Sequence, residues 1–307
     1  MTVCIFGADD DPQVEAVQRA VTSLGERAVT LRLDGAEMRS WEWSVDAIKR
    51  ADGFRLDQLR AVYIRSIPVP IPQHRSAFVA SEAEADWLTA AERGRAMLGA
   101  ARAAQRSLAD RGVEMVNPVE AFWFHRSKPG ADQRLAHHGV PVPRSLVTTD
   151  IRSVTDFVEE VGELVYKPVA GGGACRLLDL SALSGAAQTL SVAPVLFQER
   201  IVGRDLRIYV VGGSVVGGCV IHTDAIDYRG NETGIEAIDV SPELAELAVQ
   251  AAEVLGMTFT GIDIKEGPDG SLTVLDVNPS PMFVGISQST GIDVAGALAA
   301  HLAGARS

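Results

Sequence analysis

The segment FTGIDIKEGPDGSLTVLDVNPSP, residues 259 to 281, constrains this chain more than any other. Two apolar runs flank GPDG, a turn signal, so the segment reads as a β-hairpin. Yet Asp263 sits inside the first run, and Asp276 and Asn278 sit two positions apart in the second. With the turn flanked by Gly267 and Gly270, Asp263 is expected opposite Val274. Asp276 would be its diagonal neighbour on the same face, roughly 7 to 8 Å away at Cα. Strand alternation adds Asn278 to that face. Two buried carboxylates facing each other need a cation. Two carboxylates and an amide oxygen suit hard Mg²⁺, which completes its shell with phosphate and water.

Composition narrows what such a site can serve. The 307 residues allow one large domain or two to three lobes. A net charge of −12 repels polyanions, which argues against a nucleic-acid or membrane-surface partner. Cys4, Cys175 and Cys219 form no CxxC pair, as expected in a reducing compartment without disulfides or zinc. The N-terminus MTVCIFGADDDP lacks a basic stretch, and no apolar run nears the roughly 20 residues that span a bilayer. The expectation is a cytoplasmic protein.

The opening residues read as a βαβ start: strand VCIF, a helix from Pro12 with Val14, Val17 and Val21 on one face, and a second strand. Only Gly7 occupies the first turn, where a dinucleotide fingerprint needs three glycines, so this is a scaffold lobe. AVYIR at 61 to 65 is a further strand, followed by the Pro-rich loop SIPVPIPQH, a candidate partner contact. Residues 77 to 110 read as a long Ala-rich helix or a broken pair. The clearest helix runs from 241 to 256, with Ser241 as N-cap, Pro242 at N1 and Leu244, Leu247, Ala248 and Ala251 on its apolar stripe. The expected divisions are 1–116, 117–194 and 195–307.

Two stretches carry further chemistry. LVYKPVAGGGACRLLDL, from 164 to 180, reads as strand, glycine turn and strand, and lacks the GK[ST] ending of a P-loop. A glycine turn between antiparallel strands can fold over a triphosphate as a lid and donate backbone N–H groups. Lys167 within the first strand calls for an anionic partner. FQERIVGRDLRIYVV sets Glu199, Asp205 and Arg207 in an apolar context, where a salt-bridged pair would account for them structurally.

In this order, Lys128, KP with glycines, QERI, DLR, GIDI and DVNPSP resemble the ATP-grasp superfamily. Within it the chain is similar to RimK-type glutamate ligases, through NPSPMFVGISQSTGIDVAGALAAHL, and to graspetide macrocyclases, through GVPVPRSLVTTD and the Asp-aromatic-Arg of AIDYRGN. The resemblance covers about residues 113 to 303 well and the first lobe loosely. It implies an α/β ATP-grasp fold with a Rossmann-like first lobe, a small lid lobe and a C-terminal α+β lobe. It implies that Lys128 and Lys167 contact phosphates, that Gly171, Gly172 and Gly173 form the lid, and that Gln198, Glu199, Arg200 and Ile201 hold adenine. Asp205 matches the ribose contact, Arg207 the arginine beside the transferred phosphoryl group, and Arg229 a substrate-side arginine. Asp263, Asp276 and Asn278 match the metal trio, with two Mg²⁺ ions or Mn²⁺. Asp276 stands where the family has Glu, and SPMFVG replaces the Gly and aromatics of the graspetide motif. Pro129 and Gly130 are expected to interrupt the helix carrying Lys128. The implied activity is an ATP-dependent carboxylate–amine ligase working through an acylphosphate on a peptide, a protein or free amino acids, in a dimer or tetramer. An ATP-sensing module without turnover is the reading from another class.

Overall fold

The computed structural model describes residues 2–32, 41–44, 46–50, 52–66, 84–170, 175–181, 190 and 192–304. The chain divides into two compact units, Met1–Val119 with Ala295–Ser307, and Glu120–Val294. The glycine run at 171–173 and all but Ser66 of the Pro-rich loop lie outside the described residues.

The first unit is built on parallel pairing. Strand β1 (Thr2–Phe6) feeds helix α1 (Pro12–Ser23), which returns to β2 (Arg27–Leu31). Asp11 caps α1 by accepting from the Gln13 amide, Pro12 occupies its first turn, and Val14, Val17 and Val21 are buried. A small hairpin follows, β3 (Trp41–Trp43) and β4 (Ile48–Arg50), then β5 (Ala61–Ile64), α2 (Glu84–Asp110) and β6 (Glu114–Val116). The sheet order is β2-β1-β5-β6, every pairing parallel, which is the Rossmann-like arrangement expected from the opening βαβ pattern. From Glu84 onward the Ala-rich stretch is one helix and not a broken pair.

The second unit carries two antiparallel sheets. It opens with the short helices α3 (Ala121–Arg126) and α4 (Lys128–His137). Pro129 and Gly130 do not interrupt α4, against the expectation. Lys128 and Pro129 begin the helix, where a proline's missing N–H has no intrahelical partner to lose. A Cβ on residue 130 would lie 2.9 Å from Ser127 Oγ, so glycine lets the chain turn tightly into the helix. Next come β7 (Ser145–Thr148), α5 (Ile151–Val161), β8 (Leu164–Pro168), β9 (Arg176–Leu177) and β10 (Val195–Glu199). These strands form a sheet in the order β7-β10-β8-β9, with Val154 and Phe157 of α5 packed against Leu164 and Phe197.

The other sheet holds β11 (Arg204–Val211), β12 (Ser214–His222), β13 (Gly234–Ile238), β14 (Phe259–Glu266) and β15 (Leu272–Asn278), in the order β13-β12-β11-β14-β15. Helix α6 (Pro242–Val254) covers one face, with Ser241 accepting from the Leu244 amide as its cap. Leu244, Leu247, Ala248 and Ala251 pack there against Leu206, Ile208, Ile262, Ile264 and Val274. Two helices, α7 (Val284–Thr290) and α8 (Val294–Ala303), close the chain. Among the described residues no helix is long and apolar enough to cross a membrane, and Cys4, Cys175 and Cys219 form no disulfide there.

Candidate active site

Strand alternation decides which side chains leave the core of the five-stranded sheet. On β11, Leu206, Ile208 and Val210 face α6, so Asp205 and Arg207 face the other way. On β14, Ile262 and Ile264 face α6, so Asp263 and Lys265 join them. Register then matches opposite charges directly: Asp205 lies across from Lys265, and Arg207 across from Asp263. Both matches are ion pairs, with Lys265 Nζ 2.8 Å from Asp205 Oδ2 and Arg207 Nε 2.7 Å from Asp263 Oδ1.

The pairing of β14 with β15 differs from the expected one. Asp263 stands directly opposite Asp276, and Ile264 opposite Val274, because Leu275 is an extra residue in a β-bulge. Without the bulge, Asp276 and Asn278 would share the face of Val274, which is buried against α6. The extra residue turns them over to the side of Asp263, and Leu275, Asp276 and Asn278 all line one cavity. A count of residues from the turn cannot detect an inserted one.

That cavity has a volume of about 320 Å³ and lies wholly within the second unit. Lys128, Lys167 and Arg207 are three of the cations that line it. Lys128, at the start of α4, places Nζ 2.7 Å from Asp276 Oδ1. The side chain of Lys167, on β8, has no hydrogen bond or ion pair among the described residues. Burial, and then the neighbouring Lys128 charge, depress its pKa, against the pull of Asp132 and Asp276. Arg207 is the most enclosed of the three. Its Nη2 donates to Asp263 Oδ2 at 3.1 Å and is hydrogen-bonded with the Tyr228 hydroxyl, which itself donates to Asp263 Oδ1 at 2.9 Å. Burial works against the Arg207 charge, but Asp263, Tyr228 and Tyr209 together outweigh it and raise its pKa. For Asp263, burial raises the pKa despite Arg207. For Asp276, burial is outweighed by Lys128 and Lys167, and the pKa falls.

The two facing carboxylates therefore have protein cations, Arg207 and Lys128, and burial alone does not demand a metal. Among the described residues no three His, Cys, Asp or Glu side chains converge. The third oxygen donor is the amide of Asn278, whose Oδ1 accepts from the Ser280 amide at 2.9 Å and keeps a second lone pair. Asp276 Oδ2 has no partner among the described residues. Two carboxylates and an amide on one cavity wall fit Mg²⁺, which takes few protein ligands beside phosphate oxygens.

The remaining candidates line the same cavity. Gln198, Glu199, Arg200 and Ile201 follow in one run at the end of β10. Glu199 Oε1 accepts from the Arg144 amide at 2.9 Å, and Arg200 pairs with Glu163. Arg229 is held by Asp227 through Nε at 2.8 Å and through Nη2. Asp227 also accepts from the Cys175 amide at 2.9 Å, at the far edge of the glycine run. Hydrogen bonds from Arg229 and that amide outweigh burial and draw Asp227 down to about 2. Sequence reasoning missed Tyr228, Asp227 and Lys265 as parts of the site. Their signal was present: DLR on β11 and DIK on β14 are charge-complementary when run antiparallel, and Tyr228 sits between Asp227 and Arg229.

Gly261, opposite Asn278, makes the Arg207 position possible. A Cβ there would stand 2.7 Å from Arg207 Nη1 and 2.7 Å from Pro281. Gly261→Ala is therefore expected to lose about 1–3 kcal/mol of stability in urea unfolding. A variant with unchanged stability would refute this packing.

A family model for the RimK-like ATP-grasp domain matches residues 126–302, more than half of the chain. The chain belongs to that family. Beta-citrylglutamate synthase B of Danio rerio is 32% identical over 208 residues, covering 63% of this chain and 51% of the synthase. The ribosomal protein bS6–L-glutamate ligase of Salmonella paratyphi B is 31% identical over 198 residues, covering 60% of this chain and 66% of that ligase. The chain thus spans half of the first relative and about two thirds of the second. The structure of the ATP-grasp ligase PsnB complexed with minimal precursor aligns with a TM-score of 0.87 at 32% identity, over 99% of this chain and 98% of PsnB. Another PsnB structure holds minimal precursor, Mg and ADP. The likeness to PsnB takes in the first unit, where the sequence resemblance was loose.

Proposed function

We propose that this chain is an ATP-dependent carboxylate–amine ligase that acts on a peptide or protein. One observation carries the reading: Lys128, Lys167 and Arg207 converge with Asp263, Asp276 and Asn278 on a single cavity. That is the arrangement needed to hold a polyphosphate and its cation. PsnB, alike over nearly its whole length, has been captured with a precursor, Mg and ADP.

In this reading Gln198–Ile201 hold the base, Asp205 the ribose, and Lys128 and Lys167 the phosphates, with the glycines at 171–173 as lid. Asp263, Asp276 and Asn278 would hold two Mg²⁺ ions, whose bound charge would offset that of the phosphates. A carboxylate is a poor electrophile, so the γ-phosphoryl group of ATP is first transferred to its oxygen, releasing ADP. Arg207, locked by Asp263 and Tyr228, presents fixed positive charge to the transferring group without reorganising. Arg229, held by Asp227, faces the acyl phosphate from the substrate side. An amine then attacks the acyl carbon, phosphate leaves and an amide forms; a hydroxyl would give an ester. No enzyme nucleophile is needed, and burial, which raises the Cys175 pKa, keeps that thiol protonated. The enzyme would work in the cytoplasm as a dimer or tetramer.

A second reading, ligation of free amino acids or metabolites, draws on relatives such as the tetrahydromethanopterin:alpha-L-glutamate ligase of Methanococcus maripaludis. ADP release from ATP and Mg²⁺ separates the two. Stimulation by the peptide-and-protein fraction of a cell lysate is the expected result. Stimulation by the small-molecule fraction alone would favour the second reading, and an absence of ADP with both would sink the ligase assignment.

A further inference from the structure

Next to the base-holding segment lies a hydrogen-bond chain with a fixed direction. Gln198 on β10 is buried and stands across from Ser145 on β7. Its Nε2 is 2.8 Å from Asp132 Oδ2 and 2.8 Å from Ser145 Oγ. Ser145 Oγ is in turn 3.0 Å from the Pro143 carbonyl oxygen. That carbonyl can only accept, so the Ser145 hydroxyl donates to it and offers a lone pair to Gln198. At the other end Asp132, one helical turn beyond Lys128 on α4, is enclosed at 9% exposure. Burial pushes its pKa up to about 6, with Lys167 and Lys128 holding it down, so at neutral pH or above it too only accepts.

Both ends of the chain are therefore acceptors, and both amide hydrogens of Gln198 are committed between them. A flipped amide would point its oxygen at a carboxylate and at a serine lone pair, leaving those acceptors opposed. Gln198 Oε1 remains without a partner among the described residues, on a side chain that lines the cavity.

We infer that Asp132 and Ser145 are positioning residues that lock the Gln198 amide with its oxygen towards the nucleobase, and so select a base with an exocyclic amino group over one with a 6-oxo group. The inference rests on the proposal that Gln198–Ile201 hold the base. An amino group donates to Oε1, whereas a 6-oxo group meets it lone pair to lone pair. Neither residue touches the phosphates in this scheme; both act through Gln198.

The test is calorimetric titration of the full chain with ATP or inosine triphosphate, each with Mg²⁺. The wild type is expected to bind ATP at least about tenfold more tightly. Asp132→Asn, whose amide can also donate, frees Gln198 to rotate and should shrink the ATP-to-inosine ratio about threefold or more. Ser145→Ala, at an exposed residue, should shrink it in the same direction and decides the matter if Asp132→Asn does not fold. A purely structural role would weaken both nucleotides alike and leave the ratio unchanged, and that result in the folded variants overturns the inference. Equal affinities in the wild type overturn it as well. Failure of the wild type to bind ATP at all would instead remove the ligase reading beneath it.

Discussion

Asp263→Asn is expected to reduce ADP formation at least about a thousandfold, measured at saturating ATP and Mg²⁺. The size of the effect comes from two roles meeting in one carboxylate. Asp263 is one of the three oxygen donors proposed for the cation, and it is also the counter-ion of Arg207. Both side chains of the pair are largely enclosed, at 10% and 18% exposure. Removing one member of such a pair leaves an uncompensated buried charge, which costs about 3–5 kcal/mol. Urea unfolding should show that loss in the single variant. Adding Arg207→Gln to Asp263→Asn removes the stranded cation and should recover more than half of the lost stability, while turnover stays at background. Undiminished ADP formation by Asp263→Asn would remove it from the chemistry. Unchanged stability would show that the ion pair does not hold Arg207.

The site was legible in the sequence to the extent that its residues lie on strands with clear alternation. Asp263, Arg207 and Asp205 could be placed because apolar neighbours at every second position fix their faces. The register of Asp276 could not, since the bulge at Leu275 looks like any other apolar residue in a strand. The compensation of the carboxylates was hidden for another reason. Lys128 is 148 residues from Asp276 in the chain, and only the folded second unit makes them an ion pair. Helix α6 was legible almost to the residue, because cap, N-terminal proline and apolar stripe all act locally. Pro129 misled because proline breaks a helix interior but suits its first turn, and the sequence does not mark where the helix begins. Asp132 gave no signal, being one acidic residue in an ordinary helical stretch whose partners lie on two other elements.

Lys167→Met should separate binding from stability in the opposite sense to Asp263→Asn. Lys167 has no ion-pair partner among the described residues, and burial together with Lys128 disfavours its charge. The folded protein therefore carries a strained cation that a polyphosphate would relieve. Replacing it by methionine, of similar length and without charge, is expected to weaken ATP binding about 10- to 100-fold in calorimetry. The nucleotide-free protein should become more stable at neutral pH, by about 1 kcal/mol. The sign follows from linkage. A lysine whose folded pKa lies below its unfolded value of about 10.4 binds fewer protons in the folded state between the two. Wild-type stability therefore rises with pH across that window, and the cost of the charge is felt in full below it. The advantage of Lys167→Met should thus be greatest at neutral pH and shrink as pH climbs towards the ordinary lysine range. A variant that binds ATP as tightly as the wild type would dismiss Lys167 from the phosphate site. One that loses affinity and stability together would show that the lysine is structurally compensated. Residues that wait for a ligand are less stable without it, and Lys167 is where that trade should be measurable in this fold.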